Sequence, residues 1–521
     1  MAAWFHSIPD SLPANFSIAG WLNVKEQGED LDNSLLSCFD RGERRGVTLS
    51  VVTGGGGYSS QGSAARLSFA IDDGSSPVWE DCGLPDPESR YVSNSLTVFD
   101  GMLLAATTDS RTAEARAQVH RYLGGDRWES LGRPPGVDAH GIGPMVVHAD
   151  ELFIAPWTYD WTVVEQLPLS FVQVYRLAPS GEWIDCGQPG ECKRISALAS
   201  YDGRLYASGD DDTIHVYEGG REWSVSKSLP AYAHPMHVYN GRLWVGTVDP
   251  GRMWSFDGES WQDEGNPRAD EDESSQLHSF VRIDGDLAVG SWPLGYVDRR
   301  DRATGLWHSL GGPYDATEIN ALQTYNGSLY AGSLPYAEVS RYDGTDKWTP
   351  IRRLHAPAGW QASSVRESGW QSRQEMEEGG DNPTSDDLMR KWGRATSMVE
   401  YEGRLYVSTG NCTSSFQDSG DDSRLGAVHA LSVGTVATSR TSLTPGPHHV
   451  AAVRAGRTVQ LFVDGELAAS CTGDIAGAIS LGTGATRSSH GLSDGCWYDF
   501  ALSSTEVARM ARSTREVEGD Q

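Results

Sequence analysis

One short pattern recurs along this chain and limits what it can fold into. An aromatic or apolar residue, a turn pair and an alternating strand follow one another at FDGMLLAAT (from Phe99), HADELFIAP (His148), YDGRLYASG (Tyr201), YNGRLWVGT (Tyr239), IDGDLAVGS (Ile283), YNGSLYAGS (Tyr325) and YEGRLYVST (Tyr401). Asp-Gly and Asn-Gly suit two-residue hairpin loops, whose central residues need positive φ. Each copy follows a short apolar strand and usually leads to a third strand, such as QVHRYLG, IHVYEG or EVSRYDG. A fourth strand opens with tryptophan at Trp128, Trp183, Trp223, Trp261, Trp307 and Trp348, which makes six tryptophan strands for seven hairpins.

The last hairpin has a third strand in GAVHALSVG (Gly426 to Gly434) but no tryptophan strand after it. The missing one stands before the repeats, in SPVWEDCGLP around Trp79. A strand from the front of the chain then completes the last unit and closes a ring, as in a β-propeller. The count gives seven blades over residues 77–434, the last closed by strand 78–83. The YDG-type hairpins resemble those of kelch-like propellers, a likeness that specifies architecture rather than chemistry.

Outside the repeats the pattern changes. ANFSIAGWLNV, NSLLSCFDRG, GVTLSVVTG and ARLSFAIDDG precede Trp79, and HHVAAVRAGRTVQLFVDGELAAS, AISLGTG and GLSDGCWYDFALSSTEVARM follow Gly434. All alternate apolar and polar residues as half-buried strands do. FSIAGWLNV, the hairpin HHVAAV to VQLFVDGELAAS, and the closing DGCWYDFALSSTEVARM resemble the laminin-G or concanavalin-like jelly roll, in which the last pattern is a strand followed by a short helix. The expected fold is therefore all-β: a seven-bladed β-propeller inserted into a split LamG/concanavalin-like β-sandwich, with residues 1–76 and 435–521 as the two halves of the jelly roll. Both ends of the insert leave from one blade, as a tolerated insertion requires.

Bulk properties exclude several classes. A chain of 521 residues with 59 Gly, 18 Trp and 19 Tyr suits a turn-rich all-β protein of more than one domain. A net charge of −29 argues against nucleic acid or an anionic membrane as a general partner. No apolar run is long enough to span a bilayer. MAAWFHSIPD lacks the basic and apolar regions of a signal peptide, which leaves a cytosolic location and a secreted form with its signal removed both open. Seven cysteines without a CxxC pair argue against a disulfide framework or a zinc site. No cofactor is expected, although a structural Ca²⁺ occurs in some relatives of the jelly-roll fold.

Propellers place ligands at the mouth of the central channel. Aligning the hairpins puts Asn94, Gly143, Ser196, His234, His278, Asn320 and Thr396 at one equivalent position on the first strands. Arg194, Glu318 and Arg394 lie a step outward, and His140, between residues of DAHGIGP whose glycines permit close approach, slightly further. The ends of the second strands add Asp109, Trp157, Tyr159, Asp160, Trp161, Trp292 and Asn411. Three connections, 156–171, 355–391 and 409–424, are long for this repeat and are expected at the same face. Asp210, Asp211 and Asp212 are read as a solvated turn rather than a metal site.

Tryptophan and tyrosine around a polar cleft suit sugar rings, so the expected partner is an oligo- or polysaccharide. The set of His, Tyr and Arg residues resembles that of propeller polysaccharide lyases of the ulvan and rhamnosyl-glucuronate types, and of related propeller glycosidases. The resemblance implies β-elimination from a uronate: a cation neutralises the carboxylate, a base takes the C5 proton, and an acid protonates the leaving oxygen. His140, His234 and His278 are the candidate bases, Tyr159 the base or acid, and Arg394 or Arg194 the cation. Asn94, Trp157, Asp160, Trp161, Trp292, Glu318, Asn320 and Asn411 complete the substrate-binding set. A hydrolase would need two facing carboxylates, for which Asp109, Asp160 and Glu318 are candidates. A third reading is a glycan- or protein-binding module without catalysis.

Overall fold

The computed structural model describes residues 8–24, 34–53, 60, 62–89, 91–108, 117–157, 171–268, 275–314, 316–355, 393–411, 425–475, 477–489 and 491–513. Within them the regular structure is almost wholly strand, with one α-helix near the end, Ser504–Ser513. Tyr159, Asp160, Trp161 and Asp109 lie outside the described residues.

Each repeat of the sequence forms a four-stranded antiparallel unit. The third, for example, runs Ile195–Tyr201, Arg204–Gly209, Thr213–Gly219 and Glu222–Ser228, in that spatial order. The hairpin chemistry explains why. Both central residues of every repeat turn have positive φ: Asp100/Gly101, Ala149/Asp150, Asp202/Gly203, Asn240/Gly241, Asp284/Gly285, Asn326/Gly327 and Glu402/Gly403. That is the type I′ geometry, whose twist matches the flanking strands.

Three of the four tyrosines that precede a turn tie neighbouring units. Tyr201 Oη donates to Gly241 O at 2.9 Å and Tyr325 Oη to Gly403 O at 2.8 Å. Tyr401, in the last repeat, donates to Gly101 O of the first at 3.1 Å. The tryptophans act the same way further out. Trp128 Nε1 donates to Cys82 O, Trp223 Nε1 to Cys186 O and Trp348 Nε1 to Leu310 O, at 2.7, 2.8 and 2.8 Å. The buried cysteines of WEDC and WIDC thus sit where the next unit's indole reaches back.

The early tryptophan strand completes the last unit. Val78–Asp81 pairs antiparallel with Val428–Ser432, with Trp79 opposite Leu431. The first strands of successive units lie side by side, and Gly393–Tyr401 of the last lies beside Tyr91–Phe99 of the first. The arrangement is a closed ring.

The flanking segments build two five-stranded antiparallel sheets, and both mix residues from before and after the repeats. Asn15–Val24 lies between Gly446–Ala455 and Leu492–Tyr498. Ala65–Asp73 pairs with Thr435–Thr438, and Ser34–Asp40 with Thr486–Ser489, a strand the sequence pattern did not reveal. One core joins the two sheets, with Phe16, Leu36, Leu49, Phe69, Ala452 and Leu461 all fully or almost fully buried. The terminal helix is capped reciprocally: Ser503 N–H donates to Glu506 Oε2 at 2.7 Å, and Glu506 N–H to Ser503 Oγ at 3.3 Å.

This two-sheet body packs on the turn end of the ring. Arg41 forms an ion pair with Asp284 and donates through Nε to Gly327 O at 3.1 Å. Arg66 donates to Glu400 O at 2.7 Å. The other end of the ring, where the first strands begin, is the end the body does not cover at these contacts.

Candidate functional site

Every first strand carries the same irregularity near its start. The pairing with the second strand shifts register between Val92 and Leu96, Ile142 and Met145, Ile195 and Ala197, Ala233 and Met236, Leu277 and Ser279, Ile319 and Ala321, and Ala395 and Ser397. These are β-bulges, which re-aim a side chain and interrupt the ladder. The residues inside them include Asn94, Gly143, Ser196, His234, His278, Asn320 and Thr396, the equivalent set picked out by the repeat alignment. Hydroxyls of the preceding unit satisfy the freed carbonyls: Ser208 Oγ donates to His234 O at 3.2 Å, Ser279 Oγ to Ile319 O at 3.0 Å, and Thr396 Oγ1 to Val92 O at 2.9 Å.

Three of these bulges bring their side chains together. The rings of His234 and His278 meet edge to face, with centroids 5.2 Å apart, and Tyr232 lies against His234 at 4.8 Å. Tyr232 Oη is hydrogen-bonded to Ser196 Oγ. His278 Nε2 is 2.9 Å from Gln276 Oε1, and Gln276 Nε2 donates to Asp249 Oδ2 at 2.9 Å. His278 Nδ1 stands 3.4 Å from Glu318 Oε1, and Arg394 binds the same carboxylate at 3.1 Å.

Burial sets the charges here. Desolvation, with His278 and Arg194 nearby, pushes His234 well below the usual histidine range. Burial also lowers His278, against the pull of Glu318. Burial opposes ionisation of Glu318, but the Arg394 guanidinium and His278 outweigh it and hold its carboxyl below the usual range. Tyr232 is raised by burial and stays a neutral donor. At neutral pH the cluster therefore holds two neutral imidazoles, an ionised Glu318–Arg394 pair and the charge of Arg194.

A second part of the site is a stack. The indole of Trp157 lies flat on the backbone of the second unit's first strand. A Cβ on Gly141 or on Gly143 would come within 2.3 Å of that ring. The glycines beside His140 therefore make room for Trp157, not for a ligand. The Arg194 guanidinium covers the ring 4.9 Å from its centroid. Trp157 and Trp292 are each only 6% exposed, so they act as buried walls more than as an open rim. His140 is buried as well, and its backbone N–H donates to Trp157 O at 3.0 Å. That places it beside the stack, two units from His234.

The remaining predicted residues divide clearly. Asn320 is 2% exposed and its Nδ2 makes no hydrogen bond among the described residues, nor does Trp157 Nε1. Buried donors of this kind cost about 1–3 kcal/mol unless something accepts from them. Asn94 and Asn411 lie on described strands, at the start of the first and the end of the last. Arg394, expected as a neutralising cation, is engaged with Glu318. Tyr232 was missed, although its place two residues before a bulged histidine was a usable signal.

The triplet Asp210–Asp212 is not a simple solvated turn. Asp210 Oδ1 accepts from the backbone N–H of Lys193 and Arg194 at 2.8 and 3.1 Å, and Asp211 contacts His215. Asp210 thereby fixes the backbone that carries Arg194.

No protein-family model and no curated protein matches the sequence. The solved structures similar in fold are β-propeller proteins. Virginiamycin B lyase from Staphylococcus aureus is 9% identical at a TM-score of 0.45, covering 68% of this chain and 99% of its own. YCF48 from Cyanidioschyzon merolae is 10% identical at 0.41, covering 68% and 98%. The WD40 propeller domain of Doa1 is 10% identical at 0.41, covering 68% and 97%. These likenesses concern the propeller-like all-β fold alone.

Proposed function

We propose that the ring is a seven-bladed propeller over residues 77–434, inserted into a LamG-like sandwich made of residues 1–76 and 435–521. At its bulged end it cleaves a uronate-containing glycan by β-elimination. The observation that carries this reading is the buried contact of His234 with His278, with Tyr232 against His234 and the Arg394–Glu318 pair against His278. Elimination needs a neutral base, a cation for the carboxylate and a proton donor for the leaving oxygen.

In this reading Arg194 takes the uronate carboxylate, since the charge of Arg394 is already balanced by Glu318. A histidine of the pair removes the C5 proton. The electron pair forms the C4–C5 double bond, the C4–O bond breaks, and the Tyr232 hydroxyl gives its proton to the departing oxygen. Trp157, with Arg194 on one face and the glycine backbone on the other, holds the Arg194 guanidinium in place. Asn320 Nδ2 supplies a buried donor to a hydroxyl. Hydrolysis by a carboxylate pair fits less well, because Glu318 is held ionised and cannot serve as the general acid.

Incubation with ulvan, pectic fragments and gum arabic tests the reading. It expects growing ultraviolet absorbance from the unsaturated product, lost in His234→Ala and His278→Ala with the fold intact. New reducing ends without that absorbance would establish hydrolysis instead. Binding without either product would leave a recognition module.

A further inference from the structure

We infer that Cys192, Asp211 and His215 form a binding site for a borderline transition-metal dication of the zinc class, beside the Arg194 wall. The three residues come from separate parts of the third unit: the approach to its first strand, the loop after its second, and its third strand. Their donor atoms nevertheless converge, all lying within 4.8 Å of one another. Cys192 Sγ is 3.6 Å from His215 Nε2, while Asp211 Oδ1 and Oδ2 are 3.2 and 2.9 Å from the same nitrogen.

Those separations match a tetrahedral ion. With Zn–S near 2.3 Å and Zn–N or Zn–O near 2.0–2.1 Å, tetrahedral angles place S and N about 3.5 Å apart and N and O about 3.3 Å apart. A proton relay would look different. It would put the thiol and the carboxylate on opposite ring nitrogens, whereas here both face Nε2. Three protein donors leave a fourth position for water, as in open zinc sites.

The surroundings hold the donors in place. Cys192 and His215 are buried, and Asp211 gives the only partly exposed side, 20% accessible at its side chain. A Cβ on Gly190 would come within 2.4 Å of His215 Cε1, and one on Gly209 within 2.0 Å of Cys192 Sγ. Any other residue at either position would displace a donor. Without an ion, burial and the Asp211 carboxylate keep Cys192 a thiol. Binding replaces the S–H bond with a metal–sulfur bond and releases that proton to solvent. The site also bears on the proposed glycan cleft, because Cys192 lies two residues from Arg194 and Asp211 follows the Asp210 that anchors Arg194.

Chelator-treated full-length protein titrated with Co²⁺ tests this. The expected result is one ion per chain, with a thiolate-to-cobalt charge-transfer band and intense tetrahedral d–d bands. Zn²⁺ should displace both and raise Tm. Cys192→Ser should abolish the charge-transfer band, and Asp211→Asn, at the more exposed ligand, should weaken binding about a hundredfold or more. Cys496→Ser, at an exposed cysteine, should change nothing. Absence of the band in saturating Co²⁺, or its persistence in Cys192→Ser, would overturn the assignment. The wild-type titration decides the matter even if Cys192→Ser fails to fold.

Discussion

The neutral state of His234 has a direct thermodynamic consequence. Its folded-state pKa lies well below the ordinary 6.5, chiefly through burial, and the same holds for His237 beside Arg282. Between the folded and unfolded values the unfolded chain binds more protons, so stability rises with pH there. The contribution is complete above about pH 6.5 and is lost as pH falls below it. Each such histidine adds one proton, or about 1.4 kcal/mol per pH unit, and the two together about 2.7. Asp72, pushed up to about 6 by burial, works in the opposite direction. The quantity to measure is therefore a difference between variants. Urea denaturation of the wild type and of His234→Gln, from pH 7.5 to 5.5, should give slopes that differ by about half a proton at pH 6.5, rising towards one by pH 5.5. His237→Gln should show the same difference, and the double variant twice as much. Parallel slopes would mean that His234 titrates normally in the folded protein. The buried neutral base on which the proposed chemistry rests would then be gone.

Arg194→Ala should lower glycan turnover by about 100-fold or more, with Arg194→Lys failing to rescue it, because a point charge cannot stack on Trp157 as the guanidinium does. Steady-state rates on the glycan that gives product would decide; full rescue by lysine would refute the stacked geometry. Gly143→Ala should destabilise by about 1–3 kcal/mol, since its methyl enters the Trp157 ring, and the near-ultraviolet circular dichroism should change with it. An unchanged Tm would refute the close seat. Deleting residues 1–84 removes Val78–Asp81 and the Cys82 carbonyl that receives Trp128, and should leave the 85–434 segment unable to fold. A soluble fragment with a cooperative unfolding transition would refute the closure.

Local chemistry is what made the ring legible. Asp-Gly and Asn-Gly demand positive φ wherever they stand, so the hairpins announce themselves without tertiary information. The tryptophan count located the closing strand because one unit lacked its own. The alignment also found the bulged positions, since an extra residue recurs at one place in each repeat. It could not reveal which side chains meet there. Arg394 and Glu318 are 76 residues apart, and their ion pair depends on two first strands lying side by side. Ser196 and Tyr232 meet across two units for the same reason. The glycines of HGIG carried a real signal of close approach, but the approaching group was Trp157, from the paired strand. Cys192, Asp211 and His215 follow no metal-binding spacing, because a strand start, a loop and a third strand bring them together.

The bulges explain how one architecture accommodates a site at all. All seven first strands bend at the same place, yet Gly143, Ser196, His234, His278, Asn320 and Thr396 share no chemistry. The bend is therefore a property of the ring, held by hydroxyls such as Ser208, Ser279 and Thr396 bonding to the next unit's carbonyl. The bends are held by backbone and by neighbouring hydroxyls, Thr396 among them, and the imidazole at a bulge such as His278 does not carry that duty. Substituting His278 should accordingly cost far less stability than substituting Ser208 or Ser279, whose loss strands a buried carbonyl at about 1–3 kcal/mol. Function in such a ring can concentrate on the second to seventh units without disturbing the first.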